Sequence, residues 1–213
     1  DLVMAQAFGE AQPGEPANLE TVYRVGSVSK LFTDIGVMQL VEKGEIDLDA
    51  PVNEYIPDFK PRNTTDTPIT LRQLTSHRSG LIREPRVGHY FDAEEPTLAA
   101  TVASLNGTDL IYDPENRTKY SNAGIAVVGY TLEVLKQQPF VDYLQQAVLK
   151  PMGLHKSAFA PTGNIPKHLA TAYMWGYDRP DFVAPTFQLG MAPAGSMYAP
   201  ITDLGKFMTV LFN

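Results

Sequence analysis

The sequence contains no cysteine, so it builds no disulfide, no thiolate metal site and no thiol nucleophile. That absence fits either redox compartment. Cations are also scarce: 17 Lys and Arg stand against 24 Asp and Glu, a net charge of −7. So thin a supply assembles no basic patch, and nucleic acid is not an expected partner. No apolar run approaches the roughly 18–20 residues that cross a bilayer, so no membrane span is expected. Internal repeats, low-complexity tracts and long blocks of one charge are missing too. The four histidines show no His-Glu-x-x-His or paired spacing, and neither a metal nor another cofactor is expected.

What is present is enough to bury a core. Apolar residues make up 44% of the 213-residue chain and aromatics 10%, which excludes wholesale disorder. The chain opens with Asp1 rather than Met, as expected of a processed or cut piece from which an export signal would be gone.

Helical and loop segments alternate along the chain. Leu2 to Gly9 reads as a strand, Glu10 to Asn18 as a loop, and Thr21 to Val25 as a second strand. Gly26 gives a sharp corner, and a helix is expected from Ser27. Its apolar face would be Leu31, Ile35, Met38 and Val41, with Gly44 as the stop. A short amphipathic piece follows at Val52 to Ile56. Further helices are expected over 69–75 with Thr70 as N-cap, 97–105, 122–138 and 140–150. A last one runs from a Thr202 cap to Phe212. Two strands form only a marginal ribbon, so either their sheet is completed from outside this chain or the first residues are not a strand.

Two short motifs carry chemistry. In Ser27-Val28-Ser29-Lys30, a serine and a lysine three apart share one helix face. The serine oxygen sits at the positive end of the helix dipole, where a developing anion is favoured. Desolvation favours the neutral form of an amine, which then accepts a serine proton. Eight serines and nine lysines give roughly a third of such a match by chance, so the motif alone is read more simply as a Ser N-cap beside a solvated lysine. In Tyr120-Ser121-Asn122, a phenol able to shuttle a proton stands two residues from a carboxamide able to hold a substrate amide or the lysine. The plainer alternative is Ser121 or Asn122 as a helix cap, with Tyr120 on the surface.

Five blocks in one order go beyond either motif. They are Tyr23 to Lys30, Leu74-Thr75-Ser76-His77-Arg78-Ser79-Gly80-Leu81, Tyr120 to Gly124, Leu149-Lys150-Pro151-Met152-Gly153-Leu154 and Ala192-Pro193-Ala194-Gly195-Ser196-Met197. The series resembles the serine β-lactamase/penicillin-binding-protein-like family, on its class C and esterase side, over nearly the whole chain. The resemblance implies an α/β (α+β) fold: one antiparallel sheet flanked by helices, with a helical lobe and the active site between them. Residues 1–213 would form one incomplete domain, with the first strands in 1–26 and the nucleophile helix and lobe in 27–213.

Carried over by position, the resemblance makes Ser27 the nucleophile, Lys30 its base and Tyr120 the second proton carrier. Asn122 becomes a substrate-side hydrogen-bond donor, and the Ser27 N–H one half of an oxyanion hole. His77 would brace the loop below the site. Such a serine acyl hydrolase forms an acyl-enzyme on an ester, amide or β-lactam carbonyl of a small molecule or peptide. The alternative is a non-catalytic relative that binds or scaffolds. By family habit, such proteins are periplasmic or secreted.

This sequence also departs from the family pattern. The third motif, Lys-Thr-Gly or His-x-Gly on a later strand, does not occur. A companion polypeptide that completes the sheet is therefore an expected partner. Pro114-Glu115 stands where Pro-Gly is common, and Gly195-Ser196 where Gly-Gly is common. Elsewhere, Arg83, Arg86, His89 and Tyr90 are candidates for the cleft mouth. Asp109, Asp113 and Glu115 read as a solvated cluster. Tyr173, Trp175 and Tyr177 read as pocket lining or, more simply, as packing.

Overall fold

The computed structural model describes residues 3–177 and 182–212. In chain order the elements are β1 (Glu10–Gln12), β2 (Glu15–Pro16), β3 (Val22–Arg24), α1 (Ser29–Glu42), α2 (Leu71–Thr75), α3 (Leu98–Ala103), α4 (Asn122–Lys136) and α5 (Phe140–Leu144). They continue with α6 (Ile165–His168), β4 (Tyr173–Met174), β5 (Phe182–Val183), α7 (Ala192–Gly195), β6 (Tyr198–Pro200) and α8 (Ile201–Leu211). The mixture of helices and small antiparallel sheets is the expected class.

The strands form three two-stranded antiparallel ribbons, β1–β2, β3–β6 and β4–β5, rather than one sheet. Residues 3–8 carry no ladder, which corrects the expected first strand; Leu2 lies outside the described residues. Their alternation finds no partner among the described residues, and the first pairing falls inside the expected loop. The second strand is where its β-branched and aromatic residues put it. Val22 faces Pro200, Tyr23 faces Ala199 and Arg24 faces Tyr198, so a partner more than 170 positions away closes the ribbon.

Helix α4 is the axis of the core. Ala123, Ile125, Ala126, Val127, Val128 and Leu132 are fully buried, and α1, α2, α3, α5 and α7 all pack on it. A helix apolar on every side needs neighbours on every side. Gly129 permits the closest of these approaches: a Cβ there would lie 2.1 Å from Pro193 Cγ. Close packing of α7 on α4 therefore requires glycine at this position.

Helix α1 forms as its periodicity indicates and stops at Gly44, whose φ of +72° suits a residue without Cβ. Its buried face, however, is Phe32, Gly36, Val37 and Leu40, while Leu31 and Met38 are about half exposed. The two stripes have the same period, and the packing surface selects between them. Gly36 lets Leu132 and Tyr143 come in, with Leu132 Cδ1 only 3.1 Å from where a Cβ would stand.

Two further expectations are corrected. The segment 140–150 winds as α5 and then widens into a π turn at Gln145–Leu149. Helix α8 starts at Ile201 behind Pro200, so Thr202 lies inside the helix and does not cap it. The reason is that β6 runs directly into the helix. Asp203 anchors that first turn: fully buried, it accepts hydrogen bonds from the Lys156 N–H, the Ser157 hydroxyl and Lys206 Nζ. Phe207 on α8 rests on Phe32, with ring centroids 4.5 Å apart. Tyr173, Trp175 and Tyr177 are exposed and join neither buried apolar cluster among the described residues.

Candidate active site

The site begins where β3 ends. Gly26, at φ +55°, turns the chain into one 3₁₀ turn, Gly26–Val28, that leads into α1. Ser29 locks this corner: its hydroxyl donates to Gly26 O at 2.6 Å and accepts from the Met197 N–H at 3.0 Å. The corner leaves Ser27 exposed at the N-terminal end of α1 while Lys30, one turn on, is 6% exposed.

Three groups then meet. Lys30 Nζ donates to Ser27 Oγ at 3.1 Å, and the Tyr120 hydroxyl donates to the same oxygen at 2.7 Å. Lys30 Nζ also lies 4.8 Å from the centre of the Tyr120 ring. Its second hydrogen bond, 2.6 Å, goes to the carbonyl of Ala194 in α7. Thr33 on the next turn of α1 donates to Pro193 O at 2.9 Å. Helix α7 is thus hung on α1 by two side chains, and the fit of Pro193 against Gly129 holds it from behind.

Tyr120 is placed by the start of α4. Ser121 is the N-cap: its Oγ accepts from the Gly124 N–H at 2.8 Å and donates to Ile82 O at 2.7 Å. The capping alternative for this serine is therefore real, and it coexists with Tyr120 and Asn122 flanking it. Burial works to raise the Tyr120 phenol, but contacts with Lys30 and Ser27 and the charges of Lys30 and Arg83 outweigh it, leaving the phenol below its ordinary value. A more acidic phenol is a more readily ionised proton carrier at neutral pH.

Asn122 is not aimed at Lys30. Its carboxamide nitrogen donates to both oxygens of Glu84, at 2.8 and 3.0 Å. One N–H of the carboxamide that the resemblance assigns to a substrate is thus turned to a neighbouring carboxylate. Spacing alone did not reveal this, because nothing in Arg83-Glu84 marks which of the two turns inward. Arg83 reaches the cleft mouth as expected, with its guanidinium 5.1 Å from the Tyr120 ring centre. Tyr90 does so as well: a Cβ on Gly195 would come within 3.1 Å of its hydroxyl. His89 Nδ1 accepts from the Phe91 N–H at 3.1 Å, and the charge of Arg86 acts on Asp109.

Asp34 also went unnoticed, although its position four residues after Lys30 was a usable helical signal. Burial pushes its carboxyl up to about 7 against the pull of Lys30. Its Oδ1 is buried with no hydrogen-bond partner among the described residues. The acidic cluster behaves as expected: Asp109 pairs with Arg62 at 2.6 Å and Glu115 with Arg78 at 2.7 Å, all exposed. Glu115 adopts φ +69°, the conformation that explains why glycine is common at this point. Among the described residues no His, Asp and Glu cluster has the makings of a metal site, and no helix is long and apolar enough to cross a membrane.

A serine at the head of a helix, a lysine one turn below it and a tyrosine from the start of a second helix define a protein of the β-lactamase and penicillin-binding-protein fold. The chain belongs to the Beta-lactamase family, whose profile matches residues 1–213. It is 29% identical to Beta-lactamase-like protein 2 of Dictyostelium discoideum, over all of this chain and 40% of that protein. Among solved structures it resembles the octameric penicillin-binding protein homologue from Pyrococcus abyssi, at 26% identity and TM-score 0.84, over 97% of this chain and 48% of the other. It also resembles a beta-lactamase/D-alanine carboxypeptidase from Yersinia pestis, at 26% identity and TM-score 0.77, over 94% and 57%. The chain thus spans roughly half or less of the first relatives it matches.

Proposed function

We propose that this chain carries the nucleophilic half of a serine acyl hydrolase. The observation that carries the reading is the convergence of Lys30 Nζ and the Tyr120 hydroxyl on Ser27 Oγ, at 3.1 and 2.7 Å. Neutral Lys30, or ionised Tyr120, takes the Ser27 proton as Oγ bonds to an ester, amide or β-lactam carbonyl carbon. The oxyanion forms at the N-terminal end of α1, where the Ser27 N–H and the helix dipole stabilise it. The carbonyl bond to the leaving group then breaks, and the proton passes through Tyr120 to the departing oxygen or nitrogen. Water, deprotonated by the same pair, attacks the acyl-enzyme and releases the acid, returning the proton to Ser27.

A companion segment that supplies a second oxyanion donor belongs to this reading, as does action in the periplasm or outside the cell. The test is covalent labelling by a fluorophosphonate or a fluorescent penicillin. Labelling that disappears in Ser27→Ala supports the assignment; labelling that survives in a folded Ser27→Ala protein overturns it.

A further inference from the structure

One turn along α1 from Lys30 stands a carboxyl that the proposed reaction leaves unused. Asp34 follows Lys30 by four residues, so the two side chains share one face of the helix. Its Oδ1 is buried with no hydrogen-bond partner among the described residues, while the residue as a whole stays partly open to solvent. Burial holds this carboxyl up at about 7, and the opposing pull is the charge of Lys30. Among the described residues no charged group of α4, α5 or α7, which pack on α1, adds to that pull. On the other side of Lys30, its charge acts on Tyr120 and His77, and Arg83 acts on Tyr120. Helix α7 meets Lys30 with the Ala194 carbonyl.

Coupling between two charges is reciprocal. Since charged Lys30 favours ionised Asp34, ionised Asp34 favours the protonated amine. Protonation decides what Lys30 can do. An ammonium has three N–H donors and no acceptor, so it takes no proton from Ser27; the neutral amine has the lone pair that does. We infer that Asp34 is a positioning residue that, when ionised, keeps the proton on Lys30 and so delays to higher pH the point at which Ser27 gains its base. The hold begins as the pH rises through about 7, where Asp34 releases its own proton to solvent. The effect on Ser27 rests on the serine hydrolase reading; the hold on Lys30 does not.

The test titrates the whole chain by NMR with lysine carbon-13 labelled at Cε, the Lys30 resonance being assigned by its loss in Lys30→Met. In Asp34→Asn the Lys30 midpoint should fall by about one pH unit, the lower end of what a nearby opposite charge imposes. Asp34→Glu should stay close to wild type, and Asp34→Ala, which also lacks the charge, repeats the comparison. The rise of Ser27 labelling by a fluorophosphonate with pH should move down by the same interval. A Lys30 midpoint that is unchanged or higher in both uncharged variants overturns the inference. So does labelling that falls by one factor at every pH without a shift of the curve, the mark of a merely structural role. Absence of labelling from the wild type, with the midpoint shift present, counts against the hydrolase reading and supports the hold of Asp34 on Lys30.

Discussion

The imidazole of His77 lies against the phenol of Tyr120, with ring centroids 4.5 Å apart and planes tilted by 40°. The same histidine holds the residues on either side of that tyrosine. Its carbonyl accepts from the Lys119 N–H at 2.8 Å, and its Nδ1 accepts from the Ser121 N–H at 3.3 Å. His77 itself sits at φ +60°, a left-handed conformation that its neighbours must hold. The bracing role expected for this residue thus has specific contacts, and they converge on Tyr120.

Replacing His77 with Ala should slow labelling of Ser27 by about ten- to a hundredfold, because a small displacement of a proton carrier has a large effect on rate. Asn, which tolerates a left-handed φ, should recover part of the loss. Burial first, and Lys30 second, hold the imidazole below its usual value. The neutral form is therefore favoured by folding, and its contribution is complete above the unfolded value of 6.5 and lost as the pH falls through the folded one. Thermal melts from pH 7.5 to 4.5 should show a steeper loss for the wild type than for His77→Asn.

Lys30→Met should reduce the labelling rate by about 10²–10⁴-fold, the usual range for a lost general base. The fold should survive, since the new side chain fills the buried stem. Leaving the Ala194 carbonyl without its donor should cost about 1–3 kcal/mol. Labelling kinetics and denaturant unfolding measure the two effects separately.

Asp34 should make stability fall with rising pH. Its folded pKa of about 7 stands above the unfolded value of 3.8, so the native state holds a proton that the unfolded chain has released. The penalty grows from about pH 4 to pH 7 and amounts to at most about 4 kcal/mol at pH 8, on the order of three pKa units. Asp34→Asn should therefore be more stable than wild type at pH 8 and closer to it at pH 4. Urea midpoints at the two pH values decide this.

Gly129→Ala tests how α7 is positioned. A Cβ 2.1 Å from Pro193 Cγ and 2.5 Å from its Cβ must push α7 away. Overpacking of this kind typically costs about 1–3 kcal/mol. Because Ala194 follows Pro193, the Lys30–Ala194 bond should lengthen and the Ser27 labelling rate fall together with stability. Labelling that stays at the wild-type rate would separate α7 from the site.

Some local signals were legible, although the Thr202 cap was not among them. Thr70 caps α2 and Gly44 ends α1 as expected, because caps depend on short-range hydrogen bonds and on φ. The choice of buried face on α1 was not legible, since Leu31 and Met38 are as apolar as Phe32 and Val37. Nor could the exposed aromatics of 173–177 be told from packed ones without a partner surface.

By itself, the order of residues determined most of the helices, the stop of α1 at Gly44 and the one-turn spacing of Ser27 and Lys30, all consequences of backbone geometry over a few positions. Tertiary structure alone brought Tyr120 to Ser27 across 93 positions, Ala194 to Lys30 across 164, and Glu84 onto the carboxamide nitrogen of Asn122. Those contacts come from how α4, α1 and α7 pack, and packing depends on shapes far apart in the chain that no local pattern records.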